Sequence, residues 1–97
     1  MRTKIEYIIN RDDNNKVIYR YAEITIRAKT EKQEEELFYN LREYLLSNTN
    51  FDELFFCWHD KEGLTSNCKI CDREEMEELK EYYREWKKEI KNQLIKS

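Results

Sequence analysis

Residues 55–72 read FFCWHDKEGLTSNCKICD and hold all three cysteines of the chain, its one histidine and its one glycine. The fold turns on how this stretch is read. Taken as a strand, Glu53 to His59 places Leu54, Phe56 and Trp58 on one side and Phe55, Cys57 and His59 on the other, because alternate residues of a strand project to the same face. Cys57 and His59 can then offer a thiolate and an imidazole nitrogen to one point. After an eight-residue connection in which Gly63 supplies a flexible point, Cys68-Lys69-Ile70-Cys71 reads as a Cys-x-x-Cys turn. The pattern C-x-H-x8-C-x2-C is a Cys3His set, which suits zinc in tetrahedral geometry. With Cys57, His59, Cys68 and Cys71 as four protein ligands the site is closed, so it reads as structural, a clip between the third strand and the helix that follows. The start of that helix favours the thiolate form of Cys71. Two other readings stand beside zinc. Cys68 and Cys71 can form a redox pair, or Cys57 can be a small buried apolar residue and His59 an ordinary polar one.

Working back from this stretch, Thr3 to Asn10 alternates Ile5, Tyr7 and Ile9 against Lys4, Glu6 and Ile8, the period of a strand with one buried face. Arg11 to Lys16 is a polar turn, and Val17 to Lys29 returns as the second strand of a hairpin. In that strand Val17, Tyr19 and Tyr21 share one face and Ala22, Ile24, Ile26 and Ala28 the other. The change of phase implies either that both faces are partly covered or that a bulge sits near Tyr21. Thr30-Glu31-Lys32-Gln33 fits a capping box, and Leu37, Phe38, Leu41, Tyr44 and Leu45 give the helix to about Ser47 one apolar face. Its acidic cluster, Glu31, Glu34, Glu35 and Glu36, lies where the helix dipole favours anions. Working forward, Asp72 caps a last helix to about Lys96, with Met76, Leu79, Tyr83, Trp86 and Ile90 along one stripe. The expected architecture is α+β in the order ββαβα: a small three-stranded sheet packed with two helices and held by the zinc clip, all in a single domain, residues 1–97.

Composition bounds what such a domain can do. A chain of 97 residues buries only roughly 60–65% of its unfolded surface, so its core is thin and a staple would help. No apolar run approaches a membrane span and the first ten residues lack a signal-peptide core, which points to a cytoplasmic protein. An odd number of cysteines in a reducing compartment fits thiols or metal ligands better than a disulfide framework. Of the net charge of −3, residues 1–30 carry seven basic and four acidic side chains, and residues 31–97 carry eleven and seventeen. An acidic protein is a poor match for nucleic-acid phosphates and a good one for a basic protein surface. With His59 committed to a metal, no histidine remains for general-base work, and Gly63 alone makes no phosphate loop, so no enzymatic activity is expected.

Two surfaces remain as candidates for binding. On the last helix, Glu74, Glu77, Glu78, Glu81 and Glu85 fall almost opposite the apolar stripe and form an acidic face suited to docking on a larger protein with a basic surface. Arg20, Arg27 and Lys29, near Tyr7, Tyr19 and Tyr21, form the alternative: a small zinc module that contacts nucleic acid through the basic hairpin. The small single domain, the acidic helix, a proline-free composition of the kind seen in bacteriophage proteins, and the set Cys57, His59, Cys68 and Cys71 together resemble a bacteriophage anti-CRISPR protein, a zinc-binding inhibitor of a type II-A CRISPR effector nuclease. The resemblance covers the chain in general character and rests on no shared motif. It implies stoichiometric binding to the effector and interference with target-DNA loading or cleavage.

Overall fold

In a computed structural model, which describes residues 1–49 and 54–96, the chain runs β1 (Arg2–Arg11), β2 (Val17–Arg27), α1 (Glu31–Asn48), β3 (Leu54–Asp60), β4 (Gly63–Lys69) and α2 (Arg73–Lys96). The α+β class and the five expected elements are present. Glu53, the expected first residue of β3, lies outside the described residues. The correction concerns Gly63–Lys69, expected as a connection leading into a Cys-x-x-Cys turn. It is a fourth strand, so the order is ββαββα and the sheet is four-stranded and antiparallel in the order β1-β2-β4-β3.

The stretch GLTSNCK hides its strand because its alternation is polar: Leu64, Ser66 and Cys68 on one face, Thr65 and Asn67 on the other. Its neighbours supply what its own hydrophobicity does not. On one side Leu64, Ser66 and Cys68 lie opposite Ile26, Ile24 and Ala22 of β2. On the other side Gly63, Leu64, Thr65 and Ser66 lie opposite Asp60, His59, Trp58 and Cys57 of β3. Both backbone edges of β4 are thus paired, and its polar residues are buried without an apolar pattern. The β3–β4 turn is tight: the Glu62 amide donates to Asp60 Oδ1 at 2.7 Å, and Gly63 follows with φ 129°. A Cβ at Gly63 would stand 2.3 Å from the Ile26 carbonyl oxygen and 3.1 Å from Glu34 Oε2. Gly63 is therefore a point of closest approach between strands, not a flexible link.

One face of the sheet carries the core. Ala22, Ile24 and Ile26 of β2 with Leu64 and Cys68 of β4 meet Phe38, Leu41 and Leu45 of α1 and Met76, Leu79, Tyr83, Trp86 and Ile90 of α2, all buried. Each large aliphatic side chain so buried contributes roughly 1.5–3 kcal/mol. The helices are tied to each other and to the sheet by polar contacts as well. Trp86 Nε1 donates to Asn40 Oδ1 at 2.8 Å, and the Tyr83 hydroxyl hydrogen-bonds Thr3 of β1. Burial raises the Tyr83 phenol above its ordinary pKa, against the opposing pull of that bond.

Local signals in the sequence hold where they concern caps and turns. Thr30 Oγ1 accepts from the Gln33 amide at 3.1 Å, one half of the expected capping box, and Asp72 Oδ1 accepts from the Glu75 amide at 2.9 Å. Asp12 Oδ1 accepts from the amides of Asn14 and Lys16 in the hairpin turn. The β1–β2 register is regular from Arg2↔Arg27 to Asn10↔Tyr19 and shifts between Asn10 and Arg11, where Ile18 of β2 has no partner, so the irregularity lies three residues before Tyr21. The phase change in β2 arises because its second half lies under the helices. Tyr19 and Tyr21 stack on each other, ring centres 5.7 Å apart.

Gly63→Ala is expected to destabilise the protein by on the order of 2 kcal/mol, since it adds a strained backbone and a clash with Ile26 at one position. Urea denaturation followed by circular dichroism measures it, and a substitution cost near zero would contradict this packing.

Candidate functional site

The four residues expected to hold zinc occupy three different settings. Cys57 and His59 do share the helix-facing side of β3, opposite Ser66 and Leu64. Cys57 is exposed, whereas Cys68 is fully buried in β4 opposite Ala22. Cys71 lies beyond the end of β4 and is exposed. Because His59 pairs with Leu64, Cys68 stands four residues further along the ladder, roughly 13 Å of strand away. Four ligands of one tetrahedral ion must bring their donor atoms within about 4 Å of one another, so this arrangement does not gather the set. Among the described residues, no group of three or more His, Cys, Asp or Glu side chains is placed to hold a metal ion. Cys71 also departs from the expected thiolate. Its hydrogen bond with the Glu75 carboxylate, together with that charge, raises the thiol above its ordinary pKa, opposing the helix N-terminus.

What His59 meets instead is Glu34, a residue whose place in the acidic start of α1 disguised it. Glu34 is 5% exposed. Its Oε2 accepts from the Ala28 amide at 3.0 Å, and its Oε1 lies 3.4 Å from His59 Nε2. That nitrogen is buried and lacks a well-formed hydrogen bond, so the contact is an ion pair whenever the imidazole is protonated. A buried carboxylate needs donors; Glu34 takes the Ala28 amide and faces His59, and so joins the end of β2, the first turn of α1 and the β3–β4 hairpin. Helical spacing could have flagged it: Glu34 stands at i−4 and i−7 from the buried Phe38 and Leu41.

The acidic face of α2 is laid out as the spacing implies. Glu74, Glu77, Glu78, Glu81 and Glu85 are all exposed. Glu77 lies 4.0 Å from Lys80 and Glu85 lies 3.9 Å from Lys88, while Glu74, Glu78 and Glu81 have no ionic partner among the described residues. A shallow concavity of about 590 Å³ is lined by Glu78, Glu81, Tyr82, Arg84, Glu85 and Lys88. The negative surface continues toward α1, where Glu43 and Glu89 line a second hollow with Tyr44. Burial first, then Glu89 and Glu85, raise the Tyr44 phenol.

The basic hairpin is less available. Arg20 Nη1 donates to the Cys71 carbonyl at 3.3 Å and Arg27 Nη1 to the Lys61 carbonyl at 2.6 Å, so both guanidiniums brace loops, and Lys29 alone of the three is exposed without such a bond. No family model matches the chain, and no characterised protein or solved structure is significantly similar to it.

Glu34→Ala should lower stability by about 2 kcal/mol, the loss expected when a charged acceptor is removed and a partly buried amide is left unpaired, with Glu34→Gln costing less. Denaturant midpoints of the two variants measure the difference, and equal midpoints would deny Glu34 its bridging role. Titration with zinc tests the four-ligand set: a shift of the His59 ring resonances together with perturbation of Cys57, Cys68 and Cys71 would establish it, and unchanged resonances would remove it.

Proposed function

We propose that this protein is a non-enzymatic binding protein that inhibits or modulates a larger partner by docking the acidic face of α2 on a basic surface. The observation that carries this reading is the alignment of five exposed glutamates along one side of α2, three of them without a counter-charge among the described residues. Glutamates at i and i+4 repel by roughly 0.2–0.5 kcal/mol per pair, and a partner's lysines and arginines would relieve that cost on contact. The surface suits a cleft built to hold nucleic-acid phosphates. The resemblance to anti-CRISPR proteins supplies one specific candidate: a type II-A CRISPR effector nuclease, whose target-DNA loading or cleavage the bound protein would block.

The second reading, nucleic-acid binding through Arg20, Arg27 and Lys29, is less well supported because Arg20 and Arg27 spend donors on backbone carbonyls.

Co-elution with a panel of guide-loaded type II effectors, and inhibition of their cleavage, tests the proposal. Glu78→Lys with Glu81→Lys should weaken binding by about tenfold or more and reduce its salt dependence, as charge complementarity requires. Absence of both co-elution and inhibition with the wild-type protein would remove the effector as partner. A mobility shift of DNA that survives moderate salt and is lost in Arg27→Ala would favour the nucleic-acid reading.

A further inference from the structure

β1 is an edge strand of ten residues. Among the described residues it pairs with β2 alone, so the backbone groups on its outer side face no strand. The other edge, β3, has seven residues and is broken by an irregular register between Leu54 and Phe56, a device that blunts strand edges. The β1 ladder has no such break from Arg2 to Asn10. The core is also open along this edge. Ile5 and Tyr7 are only partly buried against it, and Ile9 on the same side is 37% exposed.

Above this edge runs a line of positive charge. The hydrogen bond between Tyr83 and Thr3 sets α2 over β1, and that between Trp86 and Asn40 marks the side of α2 turned toward α1. At 100° per residue, Lys80, Arg84 and Lys87 fall beyond Tyr83 on the flank turned away from α1. With Tyr83 bonded to Thr3, that flank lies on the β1 side of α2. Lys87 Nζ lies 5.7 Å from the centre of the Tyr83 ring. Arg84 has no acidic partner among the described residues, and the Lys80 contact with Glu77 is long, at 4.0 Å.

We infer that β1 accepts an extended, acidic segment of a partner protein as an added strand, with Lys80, Arg84 and Lys87 providing the counter-charge from above. The strand edge supplies the main-chain hydrogen bonds, the exposed rim at Ile5, Tyr7 and Ile9 receives alternate apolar side chains, and the basic flank selects acidic ones. A second copy of this chain fits less well, because twofold pairing of β1 would bring two basic flanks face to face. Nucleic acid could answer the cations but not the row of N–H and C=O groups. This surface borders the acidic face of α2, whose concavity Arg84 also lines, but it does not depend on the function assigned to that face.

The test uses the full chain and a short capped peptide of alternating glutamate and valine, with a lysine–valine peptide and single-stranded oligothymidine as controls. Calorimetry should show binding of the acidic peptide that weakens with salt. Hydrogen exchange of β1 amides should slow when the peptide is bound. Arg84→Gln with Lys87→Gln, both at surface positions, should reduce affinity by about tenfold while leaving the helical circular dichroism unchanged. If that variant loses helicity, the salt dependence measured on the wild-type protein tests the role of charge in its place. The inference is overturned by absence of binding, by binding that leaves β1 exchange unchanged, by equal binding of the basic peptide, by preference for oligothymidine, or by β1 protection that rises with protein concentration alone.

Discussion

The ladder between β2 and β4 is the contact on which the rest of the molecule depends. It joins strands separated in sequence by a whole helix, and six residue pairs, from Ile26↔Leu64 to Tyr21↔Lys69, carry it. Because β4 sits there, β3 becomes an edge strand, β1 becomes the opposite edge, and the helices share a single apolar face. Gly63 marks the tightest point, with no room for a side chain against the Ile26 carbonyl. Such a long-range pairing must overcome the closure entropy of the intervening chain before it is rewarded. The burial of Leu64, Ser66 and Cys68 against both helices and β2 supplies the compensation.

Glu34 works at the same place by electrostatics. A carboxylate withdrawn from water is costly unless donors surround it, and this one accepts from Ala28 and faces His59. It therefore fixes where α1 begins relative to the end of β2 and the β3–β4 turn. This acid fastens the β3–β4 hairpin to the start of α1. His59 cannot serve Glu34 and a metal through the same nitrogen, and that competition gives chemical content to the placement of the four candidate ligands.

The two helical surfaces differ in sign, and the difference follows from the wheel of α2. Its buried stripe leaves a broad solvent side that divides into an acidic back, Glu74 through Glu85, and a basic flank at Lys80, Arg84 and Lys87. A net charge of −3 conceals this division. The basic flank lies on the β1 side of α2, where Tyr83 bonds Thr3. Each surface is therefore suited to a different kind of contact: charge docking in one case, strand addition in the other.

Most local features were legible in the chain itself. Alternation in Thr3 to Asn10, the caps at Thr30 and Asp72, the stripe Met76, Leu79, Tyr83, Trp86 and Ile90, and the exposed glutamates opposite it all follow from the periods of strand and helix, which act over a few residues. The α+β class came with them. What only the tertiary structure decided was β4, the partner of His59 and the burial of Glu34. The stretch GLTSNCK has no apolar alternation to announce a strand, and it becomes one because β2 and β3 satisfy its backbone on both sides. Clustering of Cys57, His59, Cys68 and Cys71 along the chain did not announce that His59 and Cys68 fall on neighbouring strands, four residues apart along the ladder. Glu34 looked like a solvated charge at a helix start, and only the arrival of the β3–β4 hairpin encloses it.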